Sequence, residues 1–289
     1  MNNQPTRDDL NRKKIKSAEA VVSTLSHAQI AMASLDLTSL TGHETDVEII
    51  ALCDKAKQGN IAAVCIYPQY VAQVTKMLKD TNVKIATVIN FPHGDMTNGG
   101  EIATPENTTK AVKDAIANGA TEIDIVIDRN YFEGSNTRDL LHACRQACGA
   151  NIKMKVILET AALNFDEDID ILASIAIEEG ADFIKTSTGK YIDSEFPDDN
   201  GGATFEAVLT MIDVIKKYKN ERSAGLKISG GVSDKNFTSF IELVKNEVGV
   251  DFVNNKDQFR FGASGLYTHL NHALNPKALK PQTHETLAY

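Results

Sequence analysis

The chain has 289 residues, 42% of them hydrophobic and 24% charged, proportions that exclude a disordered or fibrous protein and allow one or two domains or one large barrel. Thirty Lys and Arg against thirty-nine Asp and Glu leave a formal net charge of −9, and the field of so acidic a chain repels phosphate backbones and anionic lipid. Neither nucleic acid nor membrane is an expected partner, and any anionic ligand needs a local cluster of cations.

From the N-terminus, residues 1–16 are polar, carry Arg12-Lys13-Lys14 and lack the apolar core of a secretory leader, so they read as a flexible arm of a cytoplasmic protein. Ser17–Met32 reads as a helix. Eight short apolar runs follow as strands: Ala33–Leu37, Ala62–Ile66, Ile85–Ile89, Glu122–Ile127, Lys153–Leu158, Asp182–Thr186, Gly225–Ser229 and Gln258–Gly262. They start about 32 residues apart, the length of a strand–helix–strand unit. Between them lie amphipathic stretches such as Val47, Ile50, Ala51 and Cys53, or Leu172, Ile175, Ala176 and Glu179. Residues 271–289 form a polar tail interrupted by proline and read as flexible. Cys53, Cys65, Cys144 and Cys148 are too few for a disulfide framework, and no His or Cys group has the spacing of a metal site.

Two linkers repeat. Ala117-Asn-Gly-Ala120 leads into the fourth strand and Glu178-Glu-Gly-Ala181 into the sixth, with Gly119 and Gly180 fitting the left-handed residue that ends a helix. Strands apolar on both sides and separated by helices argue for a covered parallel sheet, and eight such units argue for a single (β/α)8 TIM barrel over residues 17–270. An open doubly wound sheet is the alternative.

Reactive groups in such a barrel sit at the C-terminal strand ends. There the sequence offers Asp36, Cys65, Asp124, Lys155, Lys185 and Lys227. One lysine near a strand end is ordinarily a snorkelling or salt-bridged side chain. Lysines on adjacent strands six and seven, with an aspartate on strand four, are harder to explain as packing. Two ammonium groups about 5 Å apart at an effective dielectric of about 20 repel by roughly 3 kcal/mol, enough to raise the neutral fraction of one of them roughly 200-fold. A neutral amine is what a carbonyl needs to form a Schiff base.

Lys185-Thr-Ser-Thr-Gly-Lys190 ends like a nucleotide P-loop, but Ile184 and Tyr191 stand where that motif wants Gly and Ser or Thr. What remains is a hydroxyl-rich turn suited to one phosphate. Ser229-Gly-Gly-Val-Ser233 and Gly262-Ala-Ser-Gly265 are small-residue loops after strands seven and eight, where barrels often seat phosphate.

Leu35-Asp-Leu-Thr-Ser-Leu40, Cys65-Ile-Tyr-Pro68, Asn90-Phe-Pro-His-Gly94, Glu122-Ile-Asp-Ile-Val126 and Phe183-Ile-Lys-Thr-Ser-Thr-Gly-Lys190 resemble the deoxyribose-phosphate aldolase family from about Ser34 to Leu266. The resemblance implies a class I aldolase without cofactor or metal, interconverting 2-deoxy-D-ribose 5-phosphate with acetaldehyde and D-glyceraldehyde 3-phosphate. It implies Lys185 as the Schiff-base lysine, Lys227 as the neighbour that lowers its proton affinity, and Asp124 as a proton carrier. Asp36, Cys65, Lys155 and Thr186 would line the site. Gly189, Lys190, Gly230, Gly231, Gly262, Ala263 and Ser264 would hold the phosphate, and Tyr289 resembles a terminal tyrosine that some members use for proton transfer. Ser233 replaces an arginine and Gly265 a serine usual in that family, which implies a weaker phosphate preference. A transaldolase-like enzyme and a sugar-phosphate-binding barrel without turnover are the competing readings. The oligomeric state is left open, a homodimer among the options.

Overall fold

Threonine hydroxyls start several of the helices. Thr6, Thr45, Thr104 and Thr204 accept the backbone N–H of Asp9, Glu48, Asn107 and Ala207, and the first three donate their own backbone N–H to the side chain three residues on, closing capping boxes. At the other end, Gly119 and Gly180 have φ of 109° and 99°, the left-handed geometry expected after helices that lead directly into strands.

The computed structural model describes residues 5–94, 103–128, 135–163, 166–191 and 202–276. Two helices, α1 (Arg7–Glu19) and α2 (Leu25–Ala33), precede β1 (Leu35–Thr38). The chain then alternates: α3 (Asp46–Gly59), β2 (Ala63–Ile66), α4 (Val71–Met77), β3 (Lys84–Ile89), α5 (Pro105–Ala117), β4 (Glu122–Val126), α6 (Ser135–Cys148), β5 (Lys153–Ile157) and α7 (Asp166–Glu178). It continues through β6 (Phe183–Lys185), α8 (Phe205–Tyr218), β7 (Gly225–Ser229), α9 (Phe237–Val248), α10 (Val250–Asn254), β8 (Phe259–Ala263) and α11 (Leu266–Leu274). The strands pair in parallel in chain order, and β8 returns to β1 to close the barrel. This is a (β/α)8 TIM barrel.

Four expectations need correction. Residues 7–16 of the expected arm are helical, because the Thr6–Asp9 capping box starts a helix at Arg7, and residues 1–4 lie outside the described residues. That helix buries Ile15 and Ala18, and Lys14 pairs with Glu247 of α9 at 3.0 Å. The helix expected over Ser17–Met32 is instead split between α1 and α2, with Thr24 opening the second. On α3 the core-facing stripe is Ile49, Leu52, Cys53 and Ala56, while Val47 and Ile50 face solvent. The expected tail overlaps α11 up to Leu274, and residues 277–289, Tyr289 included, lie outside the described residues. Among the described residues no helix is long and apolar enough to cross a membrane.

The strands are two-sided in a way that apolar runs conceal. Residues such as Leu35, Leu37, Val64, Ile66, Ile123, Ile125, Ile184, Leu226 and Phe261 point outward into one core shared with the helices. Their alternates point inward. On the β2–β3 side the inward set is small and apolar, with Ala63, Cys65, Ala86 and Val88 forming a separate cluster. The remaining inner face carries charge.

Candidate active site

Seven ionisable side chains from β1, β4, β5, β6, β7 and β8 meet inside the barrel. Alternation explains their convergence: Glu122 and Asp124 share one face of β4, and register sets Lys185 beside Lys227 and Asp124 beside Lys155. Asp124 is the hub. Its Oδ2 accepts from Lys185 Nζ at 3.1 Å and from Lys227 Nζ at 2.8 Å, so the two ammonium nitrogens lie no further apart than the sum of those distances. Lys227 Nζ also donates to Asp36 Oδ2 at 2.5 Å. Lys155 Nζ lies 2.7 Å from Asp36 Oδ2, 2.5 Å from Glu122 Oε2 and 3.3 Å from Asp124 Oδ1. Arg260 bridges Asp36 Oδ1 at 2.5 Å and Glu122 Oε1 at 3.0 Å. Among the described residues, four cations face three carboxylates, one positive charge in excess.

All seven side chains are almost fully excluded from solvent; the most accessible, Lys185, is only 4% exposed. Burial drives each toward neutrality, and the neighbours decide the outcome. Burial would raise Asp36 and Asp124, but the surrounding cations hold both well below the usual carboxylate range. Burial would lower Lys227 and Lys155, but the carboxylates hold both above the usual lysine range. Lys185 is the exception among the lysines. Burial lowers it, Asp124 pulls it back, and the charge on Lys227 lowers it further, leaving it below the ordinary range. The site therefore contains one lysine disposed to lose its proton beside two that keep theirs. Asp124 Oδ1, although near Lys155, receives no hydrogen bond. Burial also raises the Cys65 thiol.

The structure sorts the remaining expected residues. Thr186 is fully buried and ties β6 to β7: its hydroxyl donates to Ser229 O at 2.8 Å and accepts from Ser229 N–H at 2.9 Å. That hydroxyl is engaged by backbone on both bonds. Gly262 makes room for Lys227, since a Cβ there would meet Lys227 Cε at 3.1 Å. Gly189 and Gly230 have φ of 73° and 84° and lie in adjacent loops, a Cβ on Gly189 coming within 3.4 Å of Gly230 Cα. Gly231 and Ser264 are exposed on the loops after β7 and β8, and Ala263 ends β8. Lys190 is exposed and stands apart from the inner lysines. Ser233 starts the turn into α9, its N–H donating to Asn236 Oδ1 at 2.8 Å.

Glu122, Arg260 and Glu159 were not anticipated. Glu122 opens β4 and Arg260 is the second residue of β8, whereas C-terminal strand ends were the expected location; each nonetheless shows the signal of a charge beside apolar residues. Glu159 follows β5 at a φ of 55° and is fully buried. Its carboxylate accepts from Thr188 N–H at 3.1 Å and Thr188 Oγ1 at 2.5 Å, which fixes the turn leading to Gly189 and Lys190. The helix cysteines carry no comparable chemistry: Cys144 and Cys148 are buried and free, and burial pushes their thiols up to about 12 and about 11.

Residues 30–266 match the model of the DeoC/LacD family of aldolases. Among solved structures, one described as the apo form of a candidate deoxyribose-phosphate aldolase from Toxoplasma gondii is 26% identical over 88% of this chain and 98% of its own, with a TM-score of 0.75. Two others share the fold. A protein from Coccidioides immitis, also named as a candidate deoxyribose-phosphate aldolase, is 24% identical over 91% of this chain and 98% of its own, with a TM-score of 0.68. A deoxyribose phosphate aldolase from Aeropyrum pernix, described as tetrameric, is 21% identical over 93% of this chain and 98% of its own, with a TM-score of 0.69.

Proposed function

The chain belongs to the DeoC/LacD aldolase family, and from that membership we propose that it is a class I aldolase reversibly cleaving 2-deoxy-D-ribose 5-phosphate to acetaldehyde and D-glyceraldehyde 3-phosphate. The observation that carries this reading is Lys185: buried, less basic than an ordinary lysine, and sharing Asp124 Oδ2 with the charged Lys227. Lys185 Nζ attacks C1 of the open-chain sugar, and the carbinolamine loses water to give an iminium ion. The 3-hydroxyl gives up its proton as the C2–C3 bond breaks, releasing the phosphorylated aldehyde. The electron pair of that bond stays on the two-carbon unit as an enamine. Protonation at C2 and hydrolysis then free acetaldehyde and restore Lys185.

Asp124 suits the proton transfers because its Oδ1 is free to accept from a water or a hydroxyl. Lys227 keeps its charge and stabilises the carboxylate while Lys185 cycles between amine and iminium. The phosphate is assigned to the loops of Gly189, Lys190, Gly230, Gly231, Ala263 and Ser264, whose small residues let backbone donors approach. Four cysteines without a disulfide fit a reducing, cytoplasmic setting.

Borohydride reduction in the presence of acetaldehyde should leave a two-carbon adduct on Lys185, located by peptide mass spectrometry, and none in Lys185→Ala. An adduct confined to another lysine, or none at all, removes this mechanism. Ser233 and Gly265 leave the phosphate loops with one cation and one hydroxyl fewer than the pattern resembled above. Discrimination between deoxyribose 5-phosphate and deoxyribose in kcat/KM should be correspondingly small, and Ser233→Arg should widen it about tenfold, the worth of one charge-assisted hydrogen bond. An unchanged ratio in Ser233→Arg would count against the assignment of that loop.

A further inference from the structure

The proposed chemistry makes no use of Arg260 and Glu122, which lie toward the N-terminal ends of β8 and β4, away from the C-terminal ends that carry the reactive groups. They are costly residues to keep. Arg260 is 1% exposed, and so is Glu122. An apolar filling of the same volume is generally no less stable than a buried ion pair. Yet the surroundings are built for them. The Arg260 guanidinium spans Asp36 Oδ1 and Glu122 Oε1, its Nε donates to the carbonyl of Lys256, and its Cζ lies 5.6 Å from the centre of the Phe183 ring. Gly225 accommodates that ring, since a Cβ there would come within 2.5 Å of Phe183 Cε1. Glu122 then passes the contact on to Lys155.

We propose that Arg260 and Glu122 are positioning residues that hold Asp36, Lys155 and Lys227 in place and set the charge balance around Lys185, which keeps its amine available for attack. Neither touches the reacting atoms. The groups facing Lys185 are Asp124 from β4, Lys227 from β7 and Cys65 from β2. Those facing Arg260 are Asp36 from β1 and Glu122 from β4, with Lys155 of β5 on the far side of Glu122. Arg260 reaches Lys185 through Asp36, Lys227 and Asp124 in turn. Removing the Arg260 charge makes the network neutral and Lys185 easier to protonate. Removing the Glu122 charge leaves two positive charges in excess and makes Lys185 harder to protonate. The two changes therefore act with opposite sign, which loss of packing alone does not produce.

This inference rests on the Schiff-base reading, and the experiment separates the two. The initial rate of acetaldehyde adduct formation on Lys185, trapped with cyanoborohydride, is followed against pH in the full-length wild type, Arg260→Met, Arg260→Lys and Glu122→Gln. One charge on the order of 10 Å away at an effective dielectric of about 20 shifts a titration midpoint by about one pH unit. Arg260→Met should thus move the acid limb up by about one unit, slowing trapping about tenfold below the limb and recovering at high pH. Glu122→Gln should move it down by a similar amount, and Arg260→Lys should restore the wild-type midpoint. If Arg260→Met does not fold, Glu122→Gln keeps shape and carries the test alone. Unmoved limbs in folded variants, or shifts in the same direction, overturn the inference while leaving a wild-type adduct intact. A wild type that forms no adduct overturns the Schiff-base reading and this inference with it.

Discussion

Exchanging Lys185 for methionine should abolish aldol cleavage, by at least about 10⁴-fold in kcat, while leaving the folded state as stable as before or more so by on the order of 1 kcal/mol. The two halves of that expectation have one cause. Lys185 is the surplus cation of the interior, and its lowered proton affinity records that the fold disfavours its charged form. Below that lowered pKa the ammonium is retained in both folded and unfolded chains and its cost is fully present; it is relieved as pH rises through the lowered pKa toward the ordinary lysine range. Methionine removes the charge, nearly preserves the volume, and leaves three cations against three carboxylates. The assay is cleavage rate beside urea unfolding at pH 7. A clear loss of stability would show that Lys185 is held for structure, and residual turnover near wild type would remove it from the reaction.

Asp124→Leu should do the opposite to stability, lowering it by about 3–5 kcal/mol, because it breaks buried pairs from one side and leaves four cations facing two carboxylates. Activity should fall together with it, by about 10²-fold or more, through loss of the proton acceptor. The decisive construction is the double variant. With Lys185→Met added to Asp124→Leu, the excess returns to one charge, so most of the lost stability should be regained. A double-mutant cycle with a coupling of at least about 1–2 kcal/mol is expected for residues in direct contact. Additive losses would show that Lys185 and Asp124 act independently, contrary to their 3.1 Å contact.

Periodicity carried the architecture well because a parallel barrel repeats one physical unit. Each of the eight strands begins or ends within two residues of its expected position, since every one is an outward apolar row bounded by a helix stop. Lys185, Lys227 and Asp124 were legible for the same reason, as charges interrupting such rows close to the strand ends. Arg260, between Phe259 and Phe261, carried the same signal, but it sits deeper, where a reactive group is not sought. Pairing was the part beyond reach: only the closed register shows that Asp36 reaches Lys155, Lys227 and Arg260. The split of the N-terminal helix was also hidden, because the residue three after Thr24 is His27, not the Glu or Gln that marks a helix start in sequence.

The contact between Asp36 and Arg260 joins residues 224 positions apart, across the seam where β8 meets β1. Strand pairing alone tolerates sliding, since backbone hydrogen bonds form equally well in a neighbouring alignment. A one-residue slip of β8 would turn Arg260 out among the apolar side chains of the helical layer and bring Phe259 or Phe261 in against Asp36 and Glu122. Two sequestered anions would then lose a partner at once, at several kcal/mol. The inner charges thus act as a lock at the last join of the ring, admitting one alignment of the first strand with the last and rejecting its neighbours.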